Sequence, residues 1–215
     1  MPRFLSTSVC CHIMADTSPD VLGYRLAPSR MKAAHDYATA EDEDLIAWSA
    51  EGDRCAFGAI VDRHSLRALR IAQRILQDRA AAEDVAQEAL VRVWQHAERF
   101  DRGRARFSTW LFRIVVNLAI DQKRRKIPEP LDDRAEFVDP SARPDEILAQ
   151  NQRRIRTRAA MAELPDRQRA AVVLTYQEGL AGTEAAKAMG VTTKALERLL
   201  SRARAFLRHR LADIV

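Results

Sequence analysis

Arg113, Asn117, Asp121 and Arg125 recur at every fourth position, and a cationic cluster, Lys123, Arg124, Arg125 and Lys126, closes the same stretch. That spacing lines up side chains on one face of a helix. Cations hold phosphates, and aromatic rings such as those at the start of this stretch can stack on bases. The chemistry open to this set is therefore contact with a nucleic acid. A surface helix with a solvated basic end fits the same residues, and composition alone does not separate the two. A second set lies near the C-terminus: Thr193, Lys194, Glu197, Arg198, Ser201, Arg202 and Arg204. These polar positions alternate with Leu196, Leu199 and Leu200, so one face is free to meet a partner. The preceding Thr183–Met189, Gly190 and Val191 give helix-turn-helix spacing, in which the second helix can enter a major groove. A plain helical hairpin with a basic face is the competing reading.

No enzyme signature competes with binding. The chain has no Gly-rich phosphate loop, no HExxH and no nucleophile beside a base, so no catalytic residue and no cofactor are expected. His64, His96 and His209 sit singly and read as packing or surface residues. Glu83, Asp84 and Glu88 lie in one helix without a partner set and read as a charged binding face rather than a metal site. Cys10, Cys11 and His12 are adjacent but lack further ligands nearby, and Cys55 stands alone, so no metal site is expected. Sparse cysteine fits a reducing cytosol. No apolar run reaches the length of a membrane span, and the first residues do not read as a signal peptide.

The elements that must position these residues are helical throughout. The 215 residues carry 35 Lys and Arg against 30 Asp and Glu, a net charge of only +5. The distribution says more. Residues 41–98 are acidic on balance, 99–126 strongly basic, 127–150 acidic again and 151–215 basic. Two basic surfaces flanking an acidic connector imply two contacts with one polyanion. Helical periodicity predicts helices over 43–51, 54–76, 80–100 and 107–126, divided by Gly52-Asp53, Asp78 and Asp101-Arg102-Gly103. Ser108 is the expected cap of the last of these. Leu111, Ile114, Val115 and Leu118 form its expected buried stripe. Pro128, Pro130, Pro140 and Pro144 then break an acidic segment, read as a flexible linker. Four further helices are expected at 147–164, 166–176, 183–189 and 192–211. The fold class is all-α: two small helical domains, with 1–40 a weakly ordered extension, 41–126 the first domain, 127–145 the linker and 146–215 the helix-turn-helix domain.

The order of three motifs then becomes recognisable. AEDVAQEALVRVW, RFSTWLFRIVVNLAIDQKRR and LPDRQRAAVVLTYQEGLAGTEAAKAMGVTTKALERLLSRARAFL together resemble bacterial sigma factors of the extracytoplasmic-function group, over roughly residues 41–211. The resemblance implies a factor that binds core RNA polymerase, recognises the −10 and −35 promoter elements, helps melt the −10 region, and is held by an anti-sigma factor until a stress signal arrives. It implies polymerase docking by Asp84, Gln87, Glu88 and Val91. It implies −10 contacts from Arg106, Phe107, Arg113, Asn117, Lys123, Arg124 and Arg125, with 99–107 as a base-capturing loop and Trp110 in the core. Thr192, Thr193, Lys194, Glu197, Arg198 and Arg202 fall where the family reads the −35 element. Glu197 stands where the family commonly has a cation, and a carboxylate there can accept from a cytosine amino group. A free-standing helix-turn-helix regulator, or a decoy that captures an anti-sigma protein, are the alternatives.

Overall fold

The computed structural model describes residues 35–125 and 144–212, with side chains described from 152 in the second stretch. Asp42–Ala50 (α1), Arg54–Leu76 (α2), Arg79–Gln95 (α3) and Phe107–Arg125 (α4) form the first unit, and a single 3-10 turn, Ala97–Arg99, follows α3. Pro144–Glu163 (α5), Asp166–Val172 (α6), Gly182–Met189 (α7) and Thr193–Arg210 (α8) form the second. All regular structure among the described residues is helical.

Local chemistry explains the boundaries. Asp53 Oδ1 accepts from the backbone N–H groups of Cys55 and Ala56 (2.9 and 3.1 Å), two of the donors that α2 leaves unsatisfied at its start. Its Oδ2 accepts from the Tyr37 hydroxyl at 2.9 Å. Asp78 and Thr192 cap α3 and α8 in the same way. We expect Asp53→Ala to lower unfolding stability by about 1–2 kcal/mol, measured as a shift in the urea midpoint, with Asp53→Asn losing much less. Gly190, at φ +63, ends α7 in the left-handed conformation that lets the chain turn into α8.

The core of the first unit joins Leu45, Ile46, Ile60, Ile71, Ile75, Val85, Val93, Phe107, Leu111 and Val115, all buried. The first unit begins earlier than expected. Residues 35–40 belong to it: His35 stacks on Trp48 at 3.8 Å, and Arg63 donates to the carbonyls of Tyr37, Ala38 and Ala40. Residues 1–34, including Cys10, Cys11 and His12, lie outside the described residues, as do the linker residues 126–143.

Helix α4 departs from its single expected stripe. Leu111 and Val115 are fully buried, Ile114 and Leu118 only partly, and Phe112, Val116 and Ala119 are buried as well. The reason is that α4 packs on α2 and α3 on one side and against α7 on the other. Its start also differs. The Phe107 N–H donates to Glu43 Oε1 at 3.0 Å, so a carboxylate from α1, not Ser108, satisfies the first donor. In the second unit the expected helix over 166–176 changes character at Val173: a π-turn, Val173–Gln177, follows α6 and ends with Glu178 N–H donating to Val173 O at 2.9 Å.

Candidate polymerase and nucleic-acid interfaces

On α3, residues Asp84, Gln87, Glu88 and Val91 follow the i, i+3, i+4, i+7 spacing that shares one helix face, and all four are exposed. Val85, Ala89 and Val93 on the opposite face anchor the helix in the core. The four exposed residues line a groove with Leu118 and Gln122 of α4. The groove holds two carboxylates, two amides and an apolar floor, and no cation. Glu88 is held by Arg92 of the next turn at 2.7 Å. Such a surface suits a protein partner and repels phosphate.

The loop from Asp101 to Arg106 is pinned to the start of α1. Arg102 donates to Glu41 and Asp44 at 2.7 and 3.1 Å, and Asp101 accepts from the Gly103 N–H at 2.9 Å. Glu41, Asp42, Glu43, Arg102, Ala105, Arg106 and Ser108 line a small polar hollow here. The sequence placed Arg106 at this loop but not the α1 acids opposite it. Their run at 41–44 facing an arginine-rich loop was the available signal. Arg106, Arg113, Asn117, Arg124 and Arg125 are exposed, and Lys123 is partly buried. Burial pulls the Lys123 ammonium below the usual lysine range, the nearby Arg169 adds to this, and Asp166 opposes it.

Phe107 requires a correction. Its ring is fully buried, 5.2 Å from His64, 6.0 Å from Phe100 and 6.1 Å from Trp110. A ring enclosed on these sides has no face left for a base. It is a core residue that fixes the end of the loop. His64 beside it is buried too, with Nε2 2.6 Å from Asp42 Oδ2, and it packs as expected. Trp110 is partly buried against Phe100.

The helix-turn-helix forms as the spacing predicts. Ala185, Ala186 and Met189 of α7 meet Leu196 and Leu200 of α8 in the core. Thr192, Thr193, Lys194, Glu197, Arg198 and Arg202 are all exposed along one side of α8. Thr192 also accepts from the Ala195 N–H at 3.2 Å, so it is the helix cap. Among the described residues, exposed Glu197 forms no ion pair.

Residues 60–127 match the Sigma-70 region 2 family and residues 154–207 match Sigma-70, region 4. The ECF RNA polymerase sigma factor SigW of Bacillus subtilis is 30% identical over 175 residues, covering 76% of this chain and 93% of SigW. This chain belongs to the ECF sigma factors. SigM of Mycobacterium tuberculosis is 34% identical over 169 residues, covering 77% of this chain and 82% of SigM. Among solved structures, CnrH in complex with the cytosolic domain of CnrY matches with a TM-score of 0.61 and 29% identity, over 80% of this chain and 97% of that one. This sigma factor therefore carries region 2 in α2–α4 and region 4 in α5–α8. No helix among its described residues is long and apolar enough to cross a membrane.

The sequence reading missed two residues between the units. Arg169 is buried, with burial pulling its guanidinium below the usual arginine range and Asp166 partly opposing this. Glu178 is nearly so, its side chain 8% exposed between two arginines. Both lie within the third motif, but their partners in the first unit, Ile75 for Arg169 and Arg67 and Arg74 for Glu178, lie some hundred residues away in the chain.

Proposed function

We propose that this sigma factor docks on core RNA polymerase through Asp84, Gln87, Glu88 and Val91 and presents two cationic faces to promoter DNA. Arg106, Arg113, Asn117, Lys123, Arg124 and Arg125 serve the −10 strand as it separates, with bases entering the hollow beside Arg106. Thr192, Thr193, Lys194, Glu197, Arg198 and Arg202 serve the −35 duplex. The working domains are 35–126 and 146–215, the first extended by six residues over the sequence-based boundary, with 127–145 as the connector. The factor acts by binding in the cytoplasm, and polymerase performs the chemistry.

The observation that carries this reading is the cation-free groove on α3, present on the same chain as an exposed helix-turn-helix. A regulator that binds duplex DNA alone has no use for such a groove. The relative CnrH was solved with the cytosolic domain of CnrY. That supports a protein inhibitor for this chain as well, an anti-sigma factor released under stress. A gel shift with promoter DNA, run with and without core polymerase, separates the readings. Specific binding is expected only when core is present. Tight specific binding by the chain alone supports the free-standing regulator instead.

A further inference from the structure

The first turns of α8 carry two exposed rows of different chemistry. Lys194, Arg198 and Arg202 recur at every fourth position and form a cationic row. Thr193, Glu197 and Ser201 form the row beside it, a carboxylate between two hydroxyls, and all three are exposed. The rotation of the helix is fixed by its other side, where Leu196, Leu200 and Ala203 are buried. Its start is fixed by Thr192, which accepts from the Ala195 N–H at 3.2 Å. Glu197 thus stands one turn in from the N-terminus, in the part of a recognition helix that reaches base edges.

Charge separates the work of the two rows. A helix in a major groove meets phosphates along the groove walls and bases on its floor. The cationic row suits the phosphates. A carboxylate is repelled there, which leaves the row of Glu197 for the bases. The carboxylate is also uncommitted. On α3, a glutamate with an arginine four residues away pairs with it: Glu83 with Arg79 at 2.9 Å, and Glu88 with Arg92 at 2.7 Å. Glu197 has Thr193 and Ser201 at those spacings, and it forms no ion pair among the described residues. Docking on DNA strips water from this acceptor, and an acceptor left without a donor costs binding. The major groove offers two kinds of base-edge donor, the N6 amino group of adenine and the N4 amino group of cytosine. Adenine sets its N7 acceptor beside the amino group, which opposes the second carboxylate oxygen. Cytosine itself presents only the donor.

We propose that Glu197 is a specificity-determining residue that accepts from the N4 amino group of a cytosine, so that this factor selects a C·G pair at one position of its −35 element. The cytosine contact rests on the −35 assignment of α8 given above. It names the base that one residue of that helix reads.

The test uses the full chain with core polymerase and a promoter taken from its own mapped start sites. The −35 segment is randomised, and each template carries a transcribed bar code. Transcript counts then give the preference for each base at each position. That ratio is internal to each variant, so it does not depend on the folded fraction. Wild type is expected to favour cytosine about tenfold or more at one position. Glu197→Ala levels the preference at that position and leaves the others. Glu197→Gln moves it to adenine, which an amide matches with one acceptor and one donor. Arg202→Ala, in the other row, lowers output on all templates alike. A structured wild-type profile that Glu197→Ala and Glu197→Gln leave unaltered overturns the role of Glu197 while the −35 assignment stands. A change confined to a position where wild type prefers a base other than cytosine overturns the cytosine contact. A flat wild-type profile overturns the −35 assignment, and the cytosine contact falls with it.

Discussion

Asp84→Arg combined with Gln87→Ala weakens binding to core RNA polymerase by about thirtyfold or more, and leaves helical content and unfolding midpoint near wild type. Both residues are exposed on α3 and line the groove with Leu118 and Gln122. Substitutions at such positions usually change stability within about 0.5 kcal/mol. A charge reversed inside a complementary interface costs about 2–5 kcal/mol of binding, which corresponds to that loss. The groove's lack of cations makes the sign of the effect specific: an arginine at 84 opposes whatever basic surface the groove fits. Quantitative pull-down or fluorescence anisotropy with core polymerase reads the change. Unaltered core binding contradicts the docking assignment and favours a decoy that engages only an anti-sigma protein.

Arg169→Ala has the largest expected effect on stability, a loss of about 3–5 kcal/mol. The guanidinium donates to Met161 O and Ile75 O at 2.7 Å, to Leu164 O at 2.8 Å and to Ala162 O. Those carbonyls belong to the last turns of α5 and α2 and the residue just beyond α5, where a helix leaves its acceptors without intrahelical donors. The C-terminal ends of two helices, one from each region, carry partial negative charge and converge on one cation. Asp166, at 3.7 Å, is the carboxylate beside it. Truncation leaves several buried acceptors unpaired at once. Arg169→Lys is also expected to lose stability, because an ammonium has three donors and lacks the planar fork that reaches both helix ends. Urea denaturation followed by circular dichroism measures both variants, and a loss below about 1 kcal/mol for Arg169→Ala contradicts this account.

The features legible in the sequence were the local ones. Gly52-Asp53, Asp78, Asp101-Arg102-Gly103 and Gly190 are short-range breakers and caps, and each divides helices where expected. The exposed faces of α3 and α8 followed directly from helical spacing. Phe107 was misassigned because an aromatic side chain beside a basic cluster reads the same whether it faces a base or a core. Its burial depends on His64, Phe100 and Trp110, which only the tertiary fold brings together. The second buried side of α4 was hidden for a related reason. Phe112 and Val116 lie off the main stripe, and they are buried only because α4 is packed from two sides. Arg169 and Glu178 looked like ordinary surface charges in a basic domain. Their partners in the first unit, Ile75 and Arg67, lie 94 and 111 residues away, beyond any local pattern.

The central claim is that this chain confers promoter choice on RNA polymerase through its two regions. Purified full-length chain added to core polymerase, with transcript 5′ ends mapped on genomic DNA templates, tests it most directly. The account predicts transcripts that appear only with the factor, start downstream of a shared pair of upstream elements, and disappear with Asp84→Arg combined with Gln87→Ala. Stable binding to core without any factor-dependent start site would contradict it.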